Sequence, residues 1–235
     1  MKPFWRNEEH GLSIYCGDCL EVMPQLEREF DFVFADPPYG VAKAGWDLEF
    51  TDEWLFNAAL CARRFLVITP GIVNLRKMPE VIGKHVYVWE CAGPIANPVG
   101  LRGALGFGNW IAAVVYCHED ESPFRMKPDM RRVRIIVDKF LRRGAAMVHA
   151  SPKPMEFMEW QVELFTDEGG TILDPFLGSG TTLVAAYRLG RSAVGIEISE
   201  EYCELAAKRL EAELAQGRLF EPAEVAGVEQ EAMVL

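Results

Sequence analysis

The chain alternates short apolar runs with stretches whose apolar residues recur every three or four positions. Phe32, Val33, Phe34 and Ala35 form an unbroken apolar run, which predicts a strand over 31–35 buried on both faces. Ahead of it, "LSIYCGDCLEVMPQL" reads as a strand, a Gly-Asp turn and a short helix. In "TDEWLFNAALCARRF", Trp54, Leu55, Ala58, Ala59 and Ala62 share one helical stripe, and Thr51 or Asp52 stands at the N-cap. Further strands are predicted at 65–71, which ends in a turn, at 85–90 and at 109–117. Residues 91–109 are rich in Gly, Pro and Asn and read as a long loop. "HASPKPMEFMEWQVELF" predicts a turn, then a helix with Phe157, Trp160, Val162 and Leu164 among its apolar positions. "GGTILDPFLGSGTTLVAAYRLG" reads as strand, glycine loop and helix, stopped by Gly190. "SAVGIEIS" is a strand and "EEYCELAAKRLEAELAQG" an amphipathic helix. Strands alternating with helices predict an α/β fold, a mostly parallel sheet with helices on both faces.

Composition narrows this only a little. With 235 residues, half of them hydrophobic, the chain suits one α/β domain with a small insertion. No apolar run reaches the ~18 residues that span a bilayer, and the first residues carry no secretory h-region. A cytoplasmic protein with no membrane partner is expected. The six cysteines are scattered, so disulfides are not expected. Cys16 and Cys19 have C-x-x-C spacing, but no second pair or spaced histidines accompany them, so no metal is expected. Net charge is −11, but it is unevenly spread. Arg125, Lys127, Arg131, Arg132, Arg134, Lys139, Arg142 and Arg143 crowd one segment whose acids are Asp129 and Asp138. A basic stretch in an acidic chain favours contact with phosphate. A solvated helix face would look the same.

Two strand exits carry the chemistry. The run at 31–35 leaves through Asp36-Pro37-Pro38-Tyr39. Prolines cannot donate to a ladder and they stiffen the exit. In open α/β sheets ligands bind at this carboxyl edge. A carboxylate, proline carbonyls outside the ladder and an aromatic ring suit a flat ligand carrying an NH2 group. The second exit is "ILDPFLGSGTTLVAA", a strand, a tight glycine loop and a helix start. Gly178 and Gly180 let backbone approach a ligand, and the helix N-terminus favours an anion. The loop is neither G-x-G-x-x-G nor a P-loop. The next strand ends in Glu197, where such units commonly bind ribose hydroxyls. A glycine loop with a ribose acid and no phosphate cradle fits S-adenosylmethionine better than a dinucleotide.

Together "DPPY" and "DPFLGSGTT" resemble the amino-methyltransferases that act on exocyclic amines of nucleic-acid bases. DPPY comes first here, the basic stretch lies between, and "HASPKP" precedes the loop, an order similar to the beta class of adenine-N6 and cytosine-N4 DNA methyltransferases. The resemblance covers about residues 12–212 and implies a Rossmann-like methyltransferase fold with a circularly permuted motif order. It implies S-adenosylmethionine as cofactor and double-stranded DNA as partner. It divides the chain into a catalytic half (1–116), a short basic target-recognition insertion (117–147), a cofactor-binding half (148–216) and an acidic, flexible tail (217–235). Asp36, Pro37, Pro38 and Tyr39 match the catalytic motif. Phe176, Gly178, Gly180 and Thr181 match the cofactor loop, with Asp174 beneath it and Glu197 as the ribose acid. Asp18 of "YCGD" matches the contact to the cofactor's adenine, and Ser151 and Lys153 match the motif that holds its methionine end. The family's His-Pro-Thr is His149-Ala150-Ser151 here, which keeps the hydroxyl. Related enzymes often dimerise, so a homodimer is compatible with the resemblance.

The implied mechanism is direct displacement on a flipped-out base. Asp36 and the Pro37 carbonyl accept the two N–H hydrogens of the target amine while Tyr39 stacks on the base. The aspartate at the head of the motif favours adenine N6; serine there is typical of cytosine-N4 enzymes. The alternatives are cytosine N4, an RNA base amine, and a non-catalytic DNA-binding regulator.

Overall fold

The computed structural model describes residues 1–26, 29–38, 52–94, 102–103, 106–107, 110–121 and 153–217. Its strands are β1 (Trp5–Asn7), β2 (Leu12–Cys16), β3 (Phe30–Ala35), β4 (Ala62–Ile68), β5 (Val81–Ile82), β6 (His85–Pro94), β7 (Arg102–Gly103), β8 (Gly106–Phe107), β9 (Trp110–His118), β10 (Thr171–Asp174) and β11 (Ser192–Glu197). The helices are α1 (Cys19–Val22), α2 (Glu53–Cys61), α3 (Met155–Phe165), α4 (Thr181–Arg188) and α5 (Glu200–Gln216). Short 3-10 turns follow at Met23–Gln25 and Ile72–Lys77.

Among the described residues one sheet runs in the order β1-β2-β11-β10-β3-β4-β9-β6-β5, and β7 and β8 form a separate hairpin. The five strands from β2 to β4 are mutually parallel. The pairs beyond them are antiparallel. The parallel half carries both motifs. Because side chains alternate across a strand, the sheet feeds two cores. Phe32, Phe34, Phe65 and Val67 face α3, α4 and α5. Val33, Ala35, Leu66 and Ile68 face α1 and α2. Helices therefore cover both faces.

Two local expectations, the end of α2 and the loop 91–109, are corrected. The stripe through Ala62 predicted a longer α2, but the helix ends at Cys61 and Ala62 opens β4, paired with Phe30. Tertiary pairing overrides alanine's helical preference there. Asp52 occupies the N-cap position without a side-chain cap bond, and Thr51 lies outside the described residues. The predicted loop 91–109 is strand at its start, because β9 supplies partners as far as Trp110 opposite Pro94, and β7 and β8 lie within the rest. β1 was not foreseen: Trp-Arg-Asn is too short and mixed to show a period.

Candidate functional site

The carboxyl ends of the five parallel strands lie along one edge, in the order β2, β11, β10, β3, β4. β3 and β10 are far apart in the chain but adjacent in the sheet, with Phe32 opposite Ile172 and Val33 opposite Leu173. The Asp-Pro-Pro exit and the glycine loop therefore emerge side by side.

On β3 the ladder ends at Ala35, whose carbonyl accepts from the Thr69 N–H at 2.9 Å. Asp36 follows, held at both oxygens. The Thr69 hydroxyl donates to Oδ1 at 2.5 Å, and the Lys153 ammonium pairs with Oδ2. Lys153 is nearly buried, with 9 % of its side chain exposed, against 23 % for Asp36. A buried ammonium requires a partner, and Asp36 provides one. Pro37 is buried and Pro38 half-buried. Tyr39 and Ser151 lie outside the described residues.

On β10, Asp174 is 2 % exposed. It accepts from the Phe176 N–H at 2.9 Å and from the Thr182 hydroxyl. Burial is the main cause that pushes its carboxyl up to about 7, and the charges of Asp36 and Glu197 push the same way. Asp174 is thus a brace for the loop from below. Phe176 stands edge-on to Trp54 of α2, ring centres 5.0 Å apart.

The two loop glycines do different work. Both have positive φ, +55° at Gly178 and +82° at Gly180, where other residues are strained. At Gly180 a Cβ would lie 3.0 Å from Ala206 Cβ of α5. Its bareness therefore serves the fit between α4 and α5, where the sequence suggested approach to a ligand. Arg209 of α5 clamps the same turn, donating to Ser179 O at 3.2 Å and to Thr181 Oγ1 at 3.0 Å.

Glu197, at the end of β11, accepts from the Gly178 N–H at 2.8 Å through Oε2 and from the Ser199 N–H at 2.9 Å through Oε1. Burial holds its carboxyl above the usual range, against those backbone bonds. Just after β2, the Gly17 N–H donates to the Glu197 carbonyl at 2.9 Å. Asp18 caps α1, accepting from the Leu20 N–H at 2.8 Å.

The edge thus gathers Asp18, Asp36, Pro37, Lys153, Asp174, Phe176, Gly178, Gly180, Thr181 and Glu197. All eight basic residues between 125 and 143 lie outside the described residues. Among the described residues no cluster of His, Cys, Asp and Glu is placed to hold a metal ion. None of the described helices is long and apolar enough to cross a membrane. Sequence reasoning missed Thr69, Thr182 and Arg209. Thr69 had a signal: a polar residue before a proline at the end of an apolar strand, as at Asp36-Pro37.

Comparison with known proteins bears on the whole arrangement. The DNA methylase family model for N6 and N4 methyltransferases matches residues 109–208. Type II methyltransferase M2.DpnII of Streptococcus pneumoniae is 52% identical, over 90% of this chain and 93% of that protein. Type II methyltransferase M2.LlaDCHI of Lactococcus lactis subsp. cremoris is 45% identical, over 89% and 92%. The chain belongs to the N6/N4 DNA methylase family. Its fold is also that of the M1.HpyAVI–SAM complex, with a TM-score of 0.69 at 23% identity over 85% of this chain and 98% of that one.

The methylase's edge suits a cationic ligand that carries hydroxyls and a flat ring. Lys153 answers the charge of Asp36 and Asp174 keeps its proton up to about 7, so of these three acids Glu197 is the one that favours positive charge. Glu197 offers acceptors beside a turn whose backbone it orders, and Phe176 offers an aromatic wall. These are the demands of S-adenosylmethionine, with a sulfonium, a ribose and an adenine.

Proposed function

We propose that this methylase transfers a methyl group from S-adenosylmethionine to the N6 amine of adenine in double-stranded DNA, after the base is flipped out of the duplex. The observation that carries the reading is Asp36, held by Thr69 and Lys153 on the strand next to the glycine loop. Bound cofactor supplies an electrophilic methyl on sulfur. The chain's own residues supply the rest. Glu197 meets the ribose, Phe176 and Asp18 the adenine end, and Ser151 and Lys153 the methionine end. An ammonium has three donors, so Lys153 can pair with Asp36 and face a ligand carboxylate. Gly178, Gly180 and Thr181 shape the loop, with Asp174 bracing it.

An aryl amine is a poor nucleophile because its lone pair is delocalised into the ring. Asp36 and the Pro37 carbonyl accept its two N–H hydrogens and draw nitrogen toward tetrahedral geometry. Fixed acceptors facing a developing ammonium need no reorganisation during reaction, and Tyr39 fixes the plane of the base. Asp36 or water takes the departing proton. The basic residues from Arg125 to Arg143 form the phosphate-contacting insertion (117–147) between a catalytic half (1–116) and a cofactor half (148–216). The reading places the enzyme in the cytoplasm, with its DNA.

The test is transfer of radiolabelled methyl to unmethylated duplex DNA, digested to nucleosides, with Asp36→Ala as control. Label in N6-methyladenine, lost in the variant, supports the reading. Label in N4-methylcytosine keeps the site and overturns the base. Label in RNA alone overturns the substrate.

A further inference from the structure

β3 and β4 end alike. Each closes on four apolar residues, Phe32 to Ala35 and Phe65 to Ile68, and is followed by a polar residue and a proline, Asp36-Pro37 and Thr69-Pro70. The strands are parallel with Ala35 opposite Ile68, so the two polar residues stand side by side. Thr69 is only 1% exposed. Its N–H is spent on the Ala35 carbonyl, which fixes its backbone to the strand that carries Asp36. The turn beyond it is braced as well: buried Asn74 donates from Nδ2 to the Pro70 carbonyl at 3.0 Å. A hydroxyl held this way is a fixed donor, and it points at Asp36 Oδ1.

We propose that Thr69 is a positioning residue for methyl transfer, setting the plane of the Asp36 carboxylate so that it meets the target amine in register. The inference rests on the reading of Asp36 as acceptor of that amine. Aspartate's terminal torsion is broad and roughly two-fold, so a strand end alone does not set the carboxylate plane. Lys153 is a poor sole guide, because an ammonium is a point charge on a flexible stem. Thr69 sits on a strand and defines one direction. A carboxylate has about four acceptor sites, and Thr69 and Lys153 hold it at one oxygen each. The residue acts through Asp36 and touches neither base nor cofactor.

The experiment compares Thr69→Val, which keeps the shape and removes the hydroxyl, with Thr69→Ser, which keeps the hydroxyl. Methyl transfer to saturating duplex DNA is measured alongside cofactor affinity by calorimetry and thermal melting. A small misplacement of a reacting group lowers rate by about 10- to 100-fold, and that is the loss of kcat expected for Thr69→Val. Its S-adenosylmethionine Kd and KM for DNA should stay within about 2-fold, and Thr69→Ser should restore most of kcat. Should the valine variant lose its cooperative melt, Thr69→Ala carries the same expectation. Wild-type kcat in the valine and alanine variants overturns the proposal. So does equal loss in the serine variant, or a Kd that weakens in step with kcat. If the wild-type protein labels no nucleic acid at all, the reading of Asp36 falls and takes this inference with it. Label in the wild type and undiminished label in Thr69→Val sinks the inference alone.

Discussion

Asp174 shows how one buried acid couples stability to pH. Its carboxyl is raised from the ordinary 3.8 to about 7, with burial as the main cause. Between those values the folded protein keeps a proton that the unfolded chain has lost. Stability from this group therefore falls as pH rises from about 4 to about 7, and is level above that. Asp174→Asn removes the titration and keeps an acceptor for the Phe176 N–H. The variant should gain in melting temperature relative to wild type on going from pH 5 to pH 8; parallel curves would sink the idea. Glu197 is a second case. Both its oxygens accept from backbone N–H groups, so an amide would turn a donor toward a donor. Glu197→Gln should weaken S-adenosylmethionine binding at least about 10-fold by calorimetry, the scale of a lost hydrogen bond to a charged group. At this scale the contiguous motifs were legible. Asp36 and the glycine loop announce themselves within their own short motifs, and Glu197 by its place at the end of the next strand. The partners of Asp36 did not, since Thr69 lies 33 positions away and Lys153 lies 117. Only the sheet brings them together.

Between elements, one tight constraint beside the site is the approach of α4 to α5. Gly180 combines a positive φ with a near neighbour in Ala206. Gly180→Ala should cost about 1–3 kcal/mol for backbone strain alone, read as a lower melting midpoint. An unchanged midpoint would mean the turn can relax. Arg209→Ala should loosen the same turn, because it removes donors to Ser179 and Thr181. Elements were legible where a period ran long enough to count, as in α5 and α3. The boundary between α2 and β4 was not, because no loop separates them: Cys61 ends one and Ala62 begins the other. The continuation of β6 to Pro94 was hidden as well, since its partner in β9 decides it and its own composition looks like a loop.

For the whole molecule, charge is the governing quantity. The chain carries −11 overall, yet eight basic residues crowd into 125–143. If that stretch grips the duplex, each phosphate contact contributes about 0.9 to the slope of log affinity against log salt. Replacing Arg131, Arg132 and Arg134 by alanine should flatten that slope and leave cofactor affinity alone. An unaltered slope would place the DNA contacts elsewhere. The α/β class and the parallel core were readable from the alternation of elements. The antiparallel flank was not, because pairing direction is a property of the assembled sheet.

The interleaved order of the sheet has a consequence for how the protein is made. β10 and β11 insert between β2 and β3. Until residues 171–197 have been synthesised, the earlier strands leave a two-strand gap, with the facing edges of β2 and β3 bare. Such edges are templates for unwanted pairing, and long-range closure is slow. A nascent chain halted near residue 150 should be sensitive to protease and prone to aggregate, while one released after the last helix should resist both. The site inherits the same timing: Asp36 is built early, Lys153 follows, and the glycine loop arrives only as the gap is filled.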